Sequence, residues 1–284
     1  MVEGQEGVSW PQWVALAQAA EQAGLEGMFR SDHYLGIVQG AVTGGLDAWA
    51  TLSALGAVTE RIRLGTLVSP VTFRHPSVLA KCVVTADHVS NGRVELGLGA
   101  GWYEAEHAAY RFVFPPVRER MDELDRQLEE LARQLAADDI QPKPVQRPRP
   151  RLIIGGSARP RTVRAAVQWA DEYNTTFPTV EQARDRRRAV DDAARAAGRE
   201  PLTFSMMTGC VVGRDRADVE ERLRAWRNVT GRDGDPPLSG TVDELVERLR
   251  AYESVGVERA MLQHLDHEDV EMVAVLGELA SACG

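Results

Sequence analysis

Short apolar runs alternate with longer stretches whose apolar positions recur at helical spacing, almost from end to end of the chain. WPQWVALAQAAEQAG predicts an amphipathic helix, with Ser9 as its N-cap and Gly24 as its stop. LEGMF comes next as a short strand that runs into the polar residues Arg30, Ser31, Asp32 and His33. Then come a helix over Asp47–Val58, the strand RIRLGTLVS, a helix over His75–His88, and GRVELGLGAG, a buried strand punctuated by glycine. A charged helix covers Val117–Ala137, with carboxylate-to-arginine pairs at helical spacing. In the second half, the strands RLIIGG, EYNTTF, PLTFSMMTGCVVG and VERAMLQHL are interleaved with helices over Arg159–Asp171, Val180–Ala197, Ala217–Asn228 and Thr241–Ser254. Asp269–Ala282 closes the chain as a helix.

About seven strands, each followed by helix, favour a parallel sheet built from βα units. With 284 residues the chain fits one (β/α)8 TIM barrel over 1–284 better than two domains. Two features depart from a complete barrel. A helix comes first, so an opening strand is expected to be missing. ADDIQPKPVQRPRPR also joins a long helix directly to a strand, through four prolines that favour extended backbone. An abbreviated connection is expected there.

Thirty-three basic against forty-two acidic residues give a net charge of −9. That balance argues against a nucleic-acid binder, whose affinity depends on clustered positive charge. No apolar run approaches membrane-spanning length, and MVEGQEGVSW lacks the pattern of a secretory signal. Cys82, Cys210 and Cys283 are scattered and form no CxxC pair, so a disulfide framework is not expected and a cytoplasmic location is.

Candidate chemistry gathers at the C-terminal ends of the strands, where barrel enzymes place their sites. His33 can exchange a proton with a substrate near neutral pH, or merely brace a loop. Gly65 to Pro70 ends its strand in small and apolar residues that suit a flat ring, although an ordinary strand end reads the same way. Gly155, Gly156 and Ser157 before a helix offer backbone N–H groups to a phosphate, or make a simple turn. Arg159 and Arg161 could add charge, and Asn174, Thr175 and Thr176 could add polar groups. His264, Asp266, His267 and Glu268 lack the spacing of a metal site, so no metal is expected. Glu106 reads as a brace for the loop after Trp102.

In order, FRSDHY, LGTLVSPVTFRHPSVLAK, SNGRVELGLGAGWYEAEHAAY, PRLIIGGSARPRTVRAAVQWADEYNTT and GTVDELVERLRAYESVGVERAMLQHL resemble the bacterial luciferase-like monooxygenase superfamily. Within it, the likeness is to the branch of coenzyme F420-dependent oxidoreductases, and it covers nearly the whole chain. The resemblance implies a (β/α)8 barrel with a flavin-like ring at its mouth. It assigns Asp32 and His33 to the catalytic strand end facing ring and substrate. Leu67, Val68 and Ser69 match the segment behind the ring, where the family often has a non-proline cis peptide. Gly155, Gly156, Ser157 and Thr176 match the phosphate site. Trp102 stands where the sugar-phosphate dehydrogenases of the group have a glutamate, which speaks against glucose 6-phosphate. The insertion hairpin usual before PKPVQRP is absent.

The function implied is hydride transfer between the deazaflavin F420 and a small organic substrate. An FMN-dependent monooxygenase of the same fold is one alternative, and a flavin-binding barrel without turnover is another. A small-molecule substrate is the expected partner, with no nucleic acid or membrane, and a homodimer stays open.

Overall fold

The computed structural model describes residues 1–38 and 43–284. Nine strands are present among them: β1 (Gly27–Arg30), β2 (Arg63–Thr66), β3 (Ser69–Pro70), β4 (Val94–Gly99), β5 (Arg151–Gly155), β6 (Glu172–Thr176), β7 (Thr203–Gly213), β8 (Leu238–Thr241) and β9 (Arg259–Gln263). The helices are α1 (Trp10–Gln22), α2 (Ala48–Val58), α3 (Pro76–Val89), α4 (Glu104–Tyr110), α5 (Val117–Ala136), α6 (Pro160–Trp169), α7 (Val180–Ala196), α8 (Arg216–Thr230), α9 (Val242–Glu253) and α10 (Val270–Cys283). All ladders between these strands are parallel, in the order β1-β2-β4-β5-β6-β7-β9. β3 lies beside the end of β4, and β8 beside the far half of β7.

Between β1 and β9 the ring is spanned by the first two residues. Val2 bridges Arg30 on one side and His264 on the other. Its N–H donates to Phe29 O at 2.8 Å, and His264 N–H donates to Met1 O at 2.9 Å. A two-residue stub therefore stands where the sequence pattern showed no strand, too short to carry any period. Along the same seam runs a hollow of about 750 Å³, lined by Leu25, Phe29, Met261, Leu262, Leu276 and Leu279.

The helices cover the outside of the ring because each carries one apolar stripe. In α5 the buried leucines are Leu124, Leu128, Leu131 and Leu135, spaced four, three and four apart. Burying a leucine in this way contributes ~1.5–3 kcal/mol. Both faces of β4 are covered, so all six of its residues are buried. Inside the ring, Phe29, Leu67, Ile153, Met207 and Met261 form a separate apolar layer.

The connection from α5 to β5 is abbreviated, as expected, and carries no hairpin. Gln146 pins it beneath α3: its N–H and side-chain amide donate to the Asp87 carboxylate at 3.0 and 2.7 Å. Two elements were not anticipated. α4 has only seven residues, too few to show a period, and β8 is a four-residue segment inside what read as a loop.

Candidate active site

The C-terminal ends of the strands surround a cavity of about 470 Å³. This is within the ~300–1,000 Å³ usual for a small-molecule site. The larger hollow at the β1–β9 seam receives none of the candidate strand-end residues, so the chemistry is assigned to the mouth.

β1 delivers Asp32 and His33 to different places. Asp32 is buried behind the wall, where Ser69 Oγ donates to it at 2.6 Å and Arg74 binds it at 2.6 and 3.2 Å. Arg74 also reaches Asp47 and the Tyr34 hydroxyl, and Trp49 Nε1 donates to Ser69 at 3.0 Å. Burial and the neighbouring acids push the Tyr34 hydroxyl far above its ordinary range, despite the Arg74 charge. Neither Asp32 nor Ser69 lines the cavity.

His33 does line it. Its Nδ1 lies 2.8 Å from Glu106 Oε2, so the group that orients the imidazole is Glu106 on α4 rather than Asp32. Glu106 is fully buried and also accepts from the backbone N–H groups of Tyr34 and Leu35. Burial alone would raise this carboxyl. The donors from His33, Leu35 and Tyr34 outweigh it and hold Glu106 below the usual carboxylate range. A carboxylate at Nδ1 keeps a proton on that nitrogen and leaves Nε2 as the free edge of the ring. The brace predicted for Glu106 is therefore real, but it holds the loop after β1. Trp102 and Tyr103 pack edge-on against His33, with centroids at 5.7 and 6.1 Å.

Across the cavity, Leu67 and Val68 form a wall whose connecting peptide is cis, as the resemblance implied. Gly99 lies directly behind it, and a Cβ there would stand 2.6 Å from Val68 Cγ2. Gly155, Gly156 and Thr176 line the far side; Ser157 is exposed and does not. The Gly156 N–H donates to Asn174 O at 2.9 Å, so the sheet occupies it and it is not free for an anion. Gly156 is small for a different reason. A Cβ on it would stand 2.8 Å from the Tyr173 hydroxyl, which itself accepts from Ala158 N–H. Arg161 is committed to Asp122 and Asp125 on α5.

The luciferase-like monooxygenase family matches residues 2–279. The chain belongs to that family. It is 31% identical over 273 residues to the F420-dependent hydroxymycolic acid dehydrogenase of Mycobacterium tuberculosis, covering 87% of this chain and 70% of the relative. It is 30% identical over 233 residues to the FMNH2-dependent dimethylsulfone monooxygenase of Pseudomonas putida, covering 74% of this chain and 59% of that one. The solved structure of an F420-dependent secondary alcohol dehydrogenase with an F420–acetone adduct superimposes with a TM-score of 0.79 at 17% identity, covering 95% of this chain and 94% of the other. Uncharacterized mycobacterial relatives are matched over 65% of their length. Luciferase-like relatives thus include both F420- and FMN-dependent enzymes.

The residues at the mouth fit a flavin-type ring of the luciferase-like family. Asn174 lines the cavity, and its Oδ1 is buried with no hydrogen-bond partner, an acceptor left for a ring N–H. Arg232, on the loop after α8, is the cavity's one arginine or lysine among the described residues.

Several lining residues carried no sequence signal. Glu3, Gln5 and Glu6 reach the mouth only because Met1 and Val2 occupy a strand position, which makes the next few residues a strand end. His264 and His267 are buried nearby. Burial, with His267 next, pushes His264 down to about 3, and burial pushes His267 down to about 4. Among the described residues no group of three or more His, Cys, Asp or Glu side chains is placed to hold a metal. No described helix is long and apolar enough to cross a membrane.

Proposed function

We propose that this luciferase-like protein is an F420-dependent oxidoreductase acting on a small organic substrate in the cytoplasm. The observation that carries the reading is one cavity holding the His33–Glu106 pair opposite the Leu67–Val68 wall. Leu67, Val68, Gly155 and Thr176 would hold the cofactor, with Asn174 Oδ1 as an acceptor for it and Arg232 available to its anionic tail. When bound, the deazaflavin supplies the site for a hydride. His33 Nε2 takes the proton that leaves a substrate hydroxyl, or returns it to a carbonyl oxygen, while Glu106 steadies the imidazolium that forms. The Leu67–Val68 wall and the stacked Trp102–Tyr103 pair give the cavity its apolar surface.

A second reading, an FMN-dependent monooxygenase, is favoured by the likeness to the dimethylsulfone enzyme. Anaerobic titration with F420 and with FMN, followed by ring fluorescence, separates the two. Tight F420 binding with substrate-dependent bleaching supports the first reading, and binding of FMN alone supports the second. Binding without any turnover across a broad panel would leave a cofactor-holding barrel.

A further inference from the structure

Glu6 takes no part in the proton chemistry described above, yet it shapes the cavity beside His33. After β1 the chain leaves the sheet, and residues 34–38 run antiparallel to residues 43–45. Leu35 bridges Gly44, Gly36 N–H donates to Thr43 O at 3.0 Å, and Gly45 N–H donates to Tyr34 O at 3.1 Å. Two short paired segments of this kind are marginal on their own in water. Side chains from elsewhere hold them. Glu106 takes the N–H groups of Tyr34 and Leu35. Tyr110 and Tyr103 donate their hydroxyls to Tyr34 O at 3.3 Å and to Gly36 O at 3.2 Å.

Beyond Gly36 the holder is Glu6. Its Oε1 accepts from the N–H groups of Ile37 and Val38 at 2.7 and 3.2 Å, and its Oε2 from the Thr43 hydroxyl at 3.4 Å. One carboxylate therefore ties both segments together, through charge-assisted bonds that are stronger than neutral ones. The fit is close: a Cβ on Gly36 would collide with Thr43 Oγ1 and stand 3.3 Å from Glu6 Oε2. Ile37 and Val38, so held, line the cavity together with His33, Trp102 and Tyr103. Tyr103 joins the two sides, since its ring packs edge-on against His33 while its hydroxyl holds Gly36.

We propose that Glu6 is a positioning residue, and that Ile37 and Val38, fixed by its carboxylate, are specificity-determining residues that set how bulky a group can reach His33 Nε2. This deepens the reading of His33 as the proton-handling residue and rests on it. With the carboxylate in place, two branched side chains stand as a fixed apolar wall beside the imidazole. Such a wall admits a compact group and excludes one that would have to displace it. Without the carboxylate the N–H groups of Ile37 and Val38 turn to water, and the wall gives way. Glu106 holds Tyr34 and Leu35 independently, so the start of the segment stays in place.

The test uses the full chain without cofactor and two readouts. In amide hydrogen exchange, Glu6→Ala should speed Ile37 and Val38 by about tenfold or more while Tyr34 and Leu35 stay within a few-fold. Glu6→Gln keeps an oxygen that can accept from both N–H groups and an amide that can face the Thr43 hydroxyl, so it should restore the protection. The second readout is the rate at which His33 is modified, located by peptide mass, with compact diethyl pyrocarbonate and with bulky 4-bromophenacyl bromide. Glu6→Ala, and the double variant Ile37→Ala with Val38→Ala, should each speed the phenacyl reagent by about tenfold or more and the compact one by no more than a few-fold. Unchanged exchange in Glu6→Ala, or protection lost as fully in Glu6→Gln, overturns the role of Glu6. A phenacyl rate that stays at the parent value, or rises no more than the compact reagent's, overturns the size limit. Wild-type turnover in His33→Ala would overturn the reading of His33 and leave both of these readouts standing.

Discussion

Two buried charge clusters occupy opposite ends of this barrel, and they treat their carboxylates differently. At the base, Glu95 on β4 and Glu172 on β6 face Arg259 on β9, which binds them at 2.7 and 3.0 Å. Arg63 and Arg151 close the rim of that cluster. Burial would raise Glu95, yet Arg259 and Arg63 hold it below the usual range; Glu172 shares its arginines and is raised by burial. At the mouth, Glu106 is held by two backbone N–H groups and one imidazole. A guanidinium does not release its proton in a protein, whereas an imidazole does so near neutral pH. The base cluster is therefore fixed structure, and the mouth pair can do proton chemistry.

The widest separation between the two clusters should come from His33→Ala. Turnover should fall by ~10²–10⁴-fold, with F420 affinity within a few-fold and thermal stability close to the parent. Wild-type turnover would make His33 a packing residue and erase the contrast.

At the other end, Arg259→Met should damage the fold instead of the chemistry. It leaves Glu95 and Glu172 buried and facing each other without their shared cation, a loss of ~3–5 kcal/mol in urea unfolding. Activity per folded molecule should persist. A loss below ~1 kcal/mol would show that Arg63 and Arg151 suffice.

Acid should reveal a third pair that belongs to neither cluster. His264 and His267 sit at about 3 and about 4 in the fold, below the ordinary value of 6.5, because burial penalises their charged forms. Well above pH 6.5 both are neutral whether folded or unfolded, and pH changes nothing through them. Below it the unfolded chain takes up protons that the folded one refuses, so stability falls with pH. By pH 5.5 the loss is on the order of 1 kcal/mol per histidine, and it continues down to the folded values. His267→Gln should flatten about half of that slope in urea midpoints measured from pH 7 to 5.5. An unchanged slope would place the acid sensitivity elsewhere.

Much of the barrel was legible in the sequence because its long elements carry period. The stripe of α5 and the buried run of β4 announce a helix and a covered strand without any tertiary knowledge. The strand ends of β1, β2, β5 and β6 could be aligned with a mouth for the same reason. Shorter features could not be read this way. The Met1–Val2 stub, α4 and β8 are defined by what they pack against, so Glu3, Glu6 and the partner of His33 were out of reach. Adjacency also misled. Asp32 precedes His33 in the chain, yet alternate residues of an extended segment point to opposite faces, and Asp32 turns to Arg74 while His33 turns to the cavity. At Gly156 the small residue answers to Tyr173 behind it, which makes Gly155 the cleaner probe of cofactor contact: a Cβ there meets Val68 at 3.6 Å, an ordinary distance.

The smallest effect expected is the one that resolves how Glu106 acts. Glu106→Gln keeps the length of the side chain and one oxygen that can accept from His33 Nδ1–H, but it removes the charge that steadies an imidazolium. If Glu106 contributes mainly orientation, the variant should lose about tenfold in kcat/KM or less, and ¹⁵N NMR should still find the His33 proton on Nδ1. Glu106→Ala removes the acceptor of His33, Tyr34 and Leu35 together. It should lose more activity, release the tautomer and loosen the loop after β1. Should Glu106→Gln instead lose as much as His33→Ala, the charge itself is what His33 needs. The two residues would then have to be treated as a single proton-handling unit.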